Sequence, residues 1–259
     1  MVKGLYTAYT GMRHQQNRMD ILSNNMANSD TVGFKKEGST NQAFKDVLAY
    51  RIKDSEDGWR ADHIGKMNLG VKIGESYTDY SQGSFQVTDN IFDLALGGEG
   101  FFAIEYTNKA GETSTKYTRD GAFTLDVDGD LVTKDGDFVL DTNGRHIRIN
   151  PIKETTIDTQ GNVIQDGQRL ARIRVVDFED YNYLEHFGEN FYQPVDGFQM
   201  KQPTAKVFSG YLEQSNVTVV SEMVELISIS RAYESNQKVI QTIDGALDIA
   251  ANQLGRLNG

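Results

Sequence analysis

The sequence predicts an α+β chain: N- and C-terminal helices forming a coiled-coil-like pair, with a central, mostly antiparallel β-domain built as a sandwich or irregular barrel. Three observations predict it. Apolar residues recur every seven positions near both termini. Asx-Gly pairs fall at short, even intervals through the middle. Charge divides the same way: residues 1–50 carry +2, residues 211–259 carry −3, and the centre holds −10 of the total −11.

At the N-terminal end Leu5, Met12, Met19 and Met26 stand seven apart, with Ala8, Gln15 and Leu22 as the second row of an a/d stripe. The stripe stops in Asn24-Asn25-Met26-Ala27-Asn28. Asparagine tolerates the left-handed backbone that ends helices, and Ser29-Asp30 and Gly33 follow as breakers. Residues 29–80 show little periodicity, contain the only tryptophan, Trp59, and read as an extended arm with some hairpin character.

Residues 81–213 read as the β-domain. Asp120-Gly121, Asp128-Gly129, Asp135-Gly136 and Asn143-Gly144 separate short alternating runs, and such pairs favour two-residue hairpin loops. Further strands are expected at 101–106, 115–118, 146–149, 155–157, 162–165 and 170–178. With Gly 25 and Pro 3, glycine beside Asx makes the turns rather than proline.

The C-terminal stripe is longer. Val219, Leu226, Tyr233, Ile240, Leu247 and Leu254 keep an unbroken seven-residue spacing, with Met223, Ser230, Gln237, Asp244 and Ala251 as companions. Ile229, Ile243, Ala250 and Leu257 lie on a neighbouring face. Ser215 or Asn216 can cap the start. A helix over 217–254 would be ~57 Å long, about twice the N-terminal one. Both stripes could pack on each other inside one globule. Apolar residues on more than one side ask for further neighbours, however, and Gln15, Gly11, Ser230 and Gln237 weaken an isolated pair. The division is therefore a discontinuous helical assembly domain (1–28 plus 214–259), an arm (29–80) and a β-domain (81–213).

Several functions are excluded or unsupported. A net charge of −11 argues against broad binding to a nucleic-acid backbone. Without cysteine there is no disulfide, thiolate metal site or Cys nucleophile. No apolar run approaches the ~20 residues of a spanning helix, and the N-terminus lacks the core of a cleaved signal peptide, so the chain stays in the cytoplasm or leaves without one. Asp126, Asp128 and Asp130 imitate the start of a calcium loop, but Leu131 stands where the turn needs glycine, and a plain hairpin explains them better. His14, His63, His146 and His186 show no ligand spacing. Gly97-Gly98-Glu99-Gly100 precedes a strand, not a helix, and reads as a tight turn. No catalytic residue, metal ligand, cofactor or small-molecule substrate is assigned.

Leu5-Tyr6-Thr7-Ala8, Gly11-Met12, Gln15-Gln16, the run Asp20–Asn28 and Thr31-Val32-Gly33-Phe34-Lys35 together resemble the N-terminal signature of the flagellar basal-body rod and hook family. The C-terminal run Gly210–Val217, Glu222-Met223-Val224 and Arg231-Ala232-Tyr233-Glu234 with Asn236 and Lys238 is similar to that family's C-terminal helix. Asp93-Leu94-Ala95-Leu96, Gly100-Phe101-Phe102 and Tyr117–Phe123 match it in the middle. Length and a single β-domain resemble the distal rod type, then the proximal rod type of similar length. The resemblance implies a structural subunit of the drive shaft, with terminal helices inside a helical tube and the β-domain outside. It implies self-association, contact with other rod and hook subunits, and export unfolded through the flagellar type III apparatus without a cleaved signal. On that reading Leu5, Met12, Met19, Leu22, Leu226, Tyr233, Ile240 and Leu247 pack the assembly, and Asn24, Asn25, Asn28, Gly33 and Phe34 shape the turn from helix to arm. A competing reading is a secreted β-module that binds glycan or calcium; an enzyme using two of the many carboxylates has no motif behind it.

Overall fold

The computed structural model describes residues 2–44, 47–52, 61–67, 70–188 and 190–252. Trp59, Leu254 and Leu257 lie outside them. The chain is α+β, with a helix at each end and strands between, and every strand pairing among the described residues is antiparallel. It divides into two compact units: residues 1–26, 37–78 and 218–259, and residues 27–36 with 79–217.

The first unit holds α1 (Val2–Ala27), β1 (Glu37–Ala43), β2 (Val47–Ile52), β3 (Ala61–Met67), β4 (Val71–Thr78) and α2 (Val219–Asn252). α1 has 26 residues and α2 has 34, so the N-terminal helix is well over half the length of the other. β1 pairs with β4 across a register shift between Ser39 and Asn41, and β2 pairs with β3. One face of α1 meets this ribbon: His14 Nε2 lies 2.6 Å from Asn41 Oδ1, and Asn25 clasps the backbone of Glu37, accepting from its N–H at 2.9 Å and donating to its carbonyl at 2.8 Å.

Another face of α1 meets α2. A side chain at Gly4 would begin 3.6 Å from the Ile243 methyl, and one at Gly11 would begin 3.1 Å from Asn236 Nδ2. Arg18 pairs with Glu225, and Asn25 Nδ2 donates to Glu222 at 3.4 Å. Steps of seven up α1 thus meet descending positions on α2, so the helices run antiparallel. The expected companion row of α2 is corrected here: Met223, Gln237 and Asp244 are exposed, while Ile229 is buried and Asn236, Ile243 and Ala250 are half-buried. The reason is the contact register. The row at 222, 229, 236 and 243 faces α1, and Leu226, Tyr233 and Ile240 flank it. The cap also differs. Thr218 accepts the first helical N–H, from Glu222, while the Asn216 side chain is committed to Lys36 N and Ser81 O.

The second unit contains β5 (Phe85–Val87), β6 (Leu94–Gly97), β7 (Phe101–Thr107), β8 (Thr113–Thr118), β9 (Thr124–Leu125), β10 (Leu131–Val132), β11 (Phe138–Val139) and β12 (Thr155–Ile157). It continues with β13 (Asn162–Gln165), β14 (Gln168–Arg172), β15 (Val175–Phe178), β16 (Leu184–Phe187), β17 (Phe191–Pro194), β18 (Met200–Lys201), β19 (Lys206–Ser209) and β20 (Tyr211–Glu213). Nine strands form one sheet in the order β16-β17-β8-β7-β11-β10-β9, with β15 on β7 and β18 on β15. The smaller sheets are β12-β13-β14, β19-β6 and β20-β5. β7 sits at the centre because its run Phe101-Phe102-Ala103-Ile104 is apolar on both faces. Phe102 joins Leu94, Leu96, Phe123, Leu131 and Val163 in one core; Phe101 and Ala103 join Tyr117, Leu140, Val176, Phe178 and Tyr192 in another.

The turns correct the expected hairpin loops. Gly111, Gly129, Gly136, Gly144 and Gly161 all have positive φ, and each N–H donates to the carbonyl three residues earlier. That is a turn with glycine in its last position, not a two-residue loop centred on Asx-Gly. Asx at the first position locks the turn: Asp141 Oδ1 accepts from Asn143 N and Arg145 N, and Asp158 Oδ1 from Gln160 N and Asn162 N. Asp120-Gly121 makes no turn of this kind, because Gly121 is pressed against the Leu94 carbonyl. Residues 146–149 form bridges rather than a strand, and the run 170–178 is split between β14 and β15, in different sheets.

Candidate functional site: a buried ion cluster and an open helix

In the second unit, segments distant in sequence meet at one carboxylate. Glu213, at the end of β20, is fully buried. Its Oε1 accepts from Lys35 Nζ at 2.6 Å and Gly83 N at 3.0 Å, and its Oε2 accepts from Arg119 Nη1 at 3.0 Å. Its backbone carbonyl accepts from Gly33 N at 2.8 Å. Lys35 also donates to the Ser81 carbonyl at 2.8 Å, and Arg119 Nη2 to the Gly98 carbonyl at 2.7 Å. Burial pulls the Lys35 amine below its ordinary range, while Glu213 pushes it back up. Two cations share one anion in a dry interior, and carbonyl dipoles take up further N–H groups. Such a cluster ties chain segments together.

The turn that delivers Lys35 is fixed by Gly33. Its φ is +70°, and a Cβ there would sit 2.5 Å from the Arg119 carbonyl carbon, so only glycine fits. Phe34 is 2% exposed beside it. Asn190 Nδ2 holds the Val32 carbonyl at 2.6 Å, and Asn216 Oδ1 accepts from Lys36 N at 2.7 Å.

The first unit is arranged differently. Of the 34 residues of α2, only Glu222 and Ile229 are buried. Val220, Met223, Val224 and Ile227 are 72%, 52%, 64% and 53% exposed, so an apolar strip runs along its N-terminal half. No described helix is long and apolar enough to cross a membrane.

The residues expected to serve assembly fall in both units. Leu22 and Asn25 are buried in the first; Leu5, Met12, Met19, Leu226, Tyr233 and Ile240 are half-buried there; Asn24 and Leu247 are exposed. Gly33 and Phe34 are buried in the second unit, and the Asn28 side chain accepts from the Thr31 hydroxyl at 3.1 Å. Sequence reasoning quoted Lys35, Arg119, Glu213 and Glu222 only inside motifs and Ile229 only on a neighbouring stripe, and gave none of them a role. A signal existed for Glu213 and Lys35, because each charge directly follows a large apolar residue, Leu212 or Phe34.

A chain with helical ends, a β-built middle and an uncovered apolar helix strip belongs to the class of assembling structural subunits. Three family models match: the flagella basal body rod protein model over residues 5–35, the flagellar hook protein FlgE/F/G D1 domain over 95–165, and the flagellar basal body rod FlgEFG protein C-terminal model over 209–254. The FlgG rod protein of Buchnera aphidicola subsp. Schizaphis graminum is 33% identical over 95% of this chain and 98% of its own length. The FlgG of Bacillus subtilis is 34% identical over 97% and 99%, and the hook-basal body complex protein FlhO of the same species 33% over 99% and 100%. The chain belongs to the flagellar basal-body rod protein family, and its likeness is to the distal rod type, FlgG. It is a structural rod subunit, located in the flagellar basal body. Each of the three matched stretches supplies one member of the buried cluster: Lys35, Arg119 and Glu213.

Proposed function

We propose that this rod subunit polymerises with its own kind into a helical tube that transmits torque, and joins other rod and hook subunits at the tube's ends. Heterologous contacts that do not close generate such a filament. The assembly domain is residues 1–28 with 214–259, its helices pairing as in a coiled coil; 29–80 is the arm, and 81–213 the outer β-domain, a sandwich or irregular barrel. Leu5, Met12, Met19, Leu22, Leu226, Tyr233, Ile240 and Leu247 are its packing residues, and Asn24, Asn25, Asn28, Gly33 and Phe34 shape the exit from α1. The role is mechanical rather than enzymatic. The subunit leaves the cytoplasm through the flagellar export apparatus without a cleaved signal, and the absence of cysteine suits that passage.

One observation carries the reading: a 34-residue helix with only two buried residues and an exposed apolar strip needs neighbours that the described residues of one chain do not supply. Electron microscopy of basal bodies from a deletion strain tests it. The expected result is a rod that stops short and regains full length on complementation; a full-length rod in the deletion strain would sink the proposal. Deleting residues 1–28 is expected to abolish assembly yet leave the thermal transition of the β-domain nearly unchanged.

A further inference from the structure

The first unit contains a pocket of about 280 Å³ whose wall includes Tyr6, Tyr9, Arg13, His14, Phe44 and Lys72. Among the described residues no carboxylate lines it. That is unusual in a chain of net charge −11. Tyr6 and Tyr9 are 46% and 49% exposed, and the Tyr6 ring lies 6.4 Å from that of Phe44. Arg13 and Lys72 form no ion pair among the described residues. His14 is 5% exposed; its Nε2 is held by Asn41, and its Nδ1 has no partner among the described residues. The pocket thus offers aromatic surface and two cations that have no ion pair among the described residues. Its chemistry suits an apolar tip flanked by carboxylates.

The second unit presents such a tip. Asp126-Val127-Asp128-Gly129 is a tight turn closed by Gly129 N donating to the Asp126 carbonyl at 2.9 Å. Val127 is 99% exposed, although a turn crest ordinarily carries a polar residue. Asp126 and Asp128 on either side make no ion pair among the described residues. Ile152, 92% exposed, follows Pro151, whose ring lies 3.8 Å from where a Gly129 side chain would begin.

We infer that the Asp126-Val127-Asp128 turn of one copy docks into the Tyr6–Tyr9–Arg13–Lys72 pocket of another. Val127 meets the tyrosine and phenylalanine rings, and the two carboxylates pair with Arg13 and Lys72. The contact is heterologous and leaves a free turn and a free pocket for the next copies, as a growing filament requires. It rests on the rod reading and adds to it a specific pair of surfaces.

The absence of cysteine makes the test clean. Cells expressing Val127→Cys together with Tyr9→Cys are oxidised mildly, and their basal bodies are isolated and run without reductant. The expected result is a ladder of covalent multimers, absent from either single variant and from Val195→Cys with Tyr9→Cys. Rods that contain the doubly substituted chain at parental level but give no ladder overturn the docking and leave the rod reading standing. A parental chain missing from purified basal bodies overturns both. As a second arm, Arg13→Glu with Lys72→Glu is expected to lower motility at least tenfold, with circular dichroism unchanged. Adding Asp126→Lys with Asp128→Lys is expected to recover part of it; no recovery in folded protein counts against the pairing.

Discussion

The two units treat buried charge and apolar surface in opposite ways. In the second, Lys35, Arg119 and Glu213 are sealed from water and tied to one another, and aromatic side chains fill two cores on either face of β7. In the first, α2 buries two residues of 34 and leaves Val220, Val224 and Ile227 in solvent. The second unit encloses its ion cluster and most of its aromatic bulk and leaves single apolar residues such as Val127 exposed; the first leaves a continuous helix strip in solvent. The lesson is that stability and assembly are written into different stretches of the chain, so substitutions in each should fail in different assays.

The largest effect is expected at Glu213. Glu213→Ala leaves two buried cations without their anion, and breaking a buried pair in this way costs about 3–5 kcal/mol. Denaturant unfolding followed by hydrogen exchange at the β7 amides reads the second unit. A midpoint that stays near the parent's would show that carbonyls alone satisfy Lys35 and Arg119, and would break the contrast. Gly33→Ala comes next, at about 2–3 kcal/mol, because it combines a positive φ with a Cβ pressed on the Arg119 backbone. Its effect should appear in the same transition.

Asn25→Ala probes the better-packed end of the first unit. It removes both hydrogen bonds to the Glu37 backbone and a donor to buried Glu222, a loss of about 2 kcal/mol. Hydrogen exchange should show faster exchange in the last turns of α1 and in β1, with the β7 amides unchanged. Equal acceleration in β7 would mean that the two units do not respond separately.

How much of this was legible beforehand follows from the same physics. The helices declared themselves through seven-residue spacing, a local property of consecutive residues. β12 and β13 were read to the residue because turns bound them on both sides. The packing face of α2 was legible only as a second stripe, Ile229, Ile243 and Ala250, since the choice between 223/230/237 and 229/236/243 depends on the register against α1, which no local pattern encodes. The ion cluster was missed for a related reason. Lys35, Arg119 and Glu213 are separated by 84 and 94 residues, and only the fold brings them together. The turn type was misread because the deciding Asx stands three residues before glycine, as in Asp141 and Gly144, rather than beside it.

Acid sensitivity sharpens the comparison at smaller scale. Burial raises the Asp141 and Asp158 carboxyls, but the N–H donors of their own turns outweigh it and hold both below the ordinary value of 3.8. A depressed carboxylate contributes stability above its unfolded value and loses it as pH falls through the folded one. Asp120 and Asp137, raised by burial, work the other way: acid relieves their cost. Wild-type β-domain should therefore lose little stability between pH 5 and 3.8 and more below. Asp141→Ala with Asp158→Ala should lower stability at pH 7 by about 1–2 kcal/mol and flatten the acid limb in calorimetric scans. An acid limb of unchanged steepness would show that these turns do not set it.

The smallest expected change in stability is the most informative for function. Val224→Ser with Ile227→Ser lies on the exposed strip of α2, where substitutions ordinarily move stability by less than about 0.5 kcal/mol. Neither residue belongs to the row at 222, 229, 236 and 243 that meets α1. If the strip is reserved for neighbouring subunits, the pair should leave unfolding and circular dichroism unchanged, yet abolish swimming and shorten the rod seen by electron microscopy. Motile cells with full-length rods would show that the strip merely tolerates apolar residues, and the neighbours of α2 would then have to be sought on another face. Destabilisation without loss of motility would argue that the strip is covered within the subunit itself. Only a loss of assembly at constant stability separates the exposed helix strip from a surface that merely tolerates apolar residues.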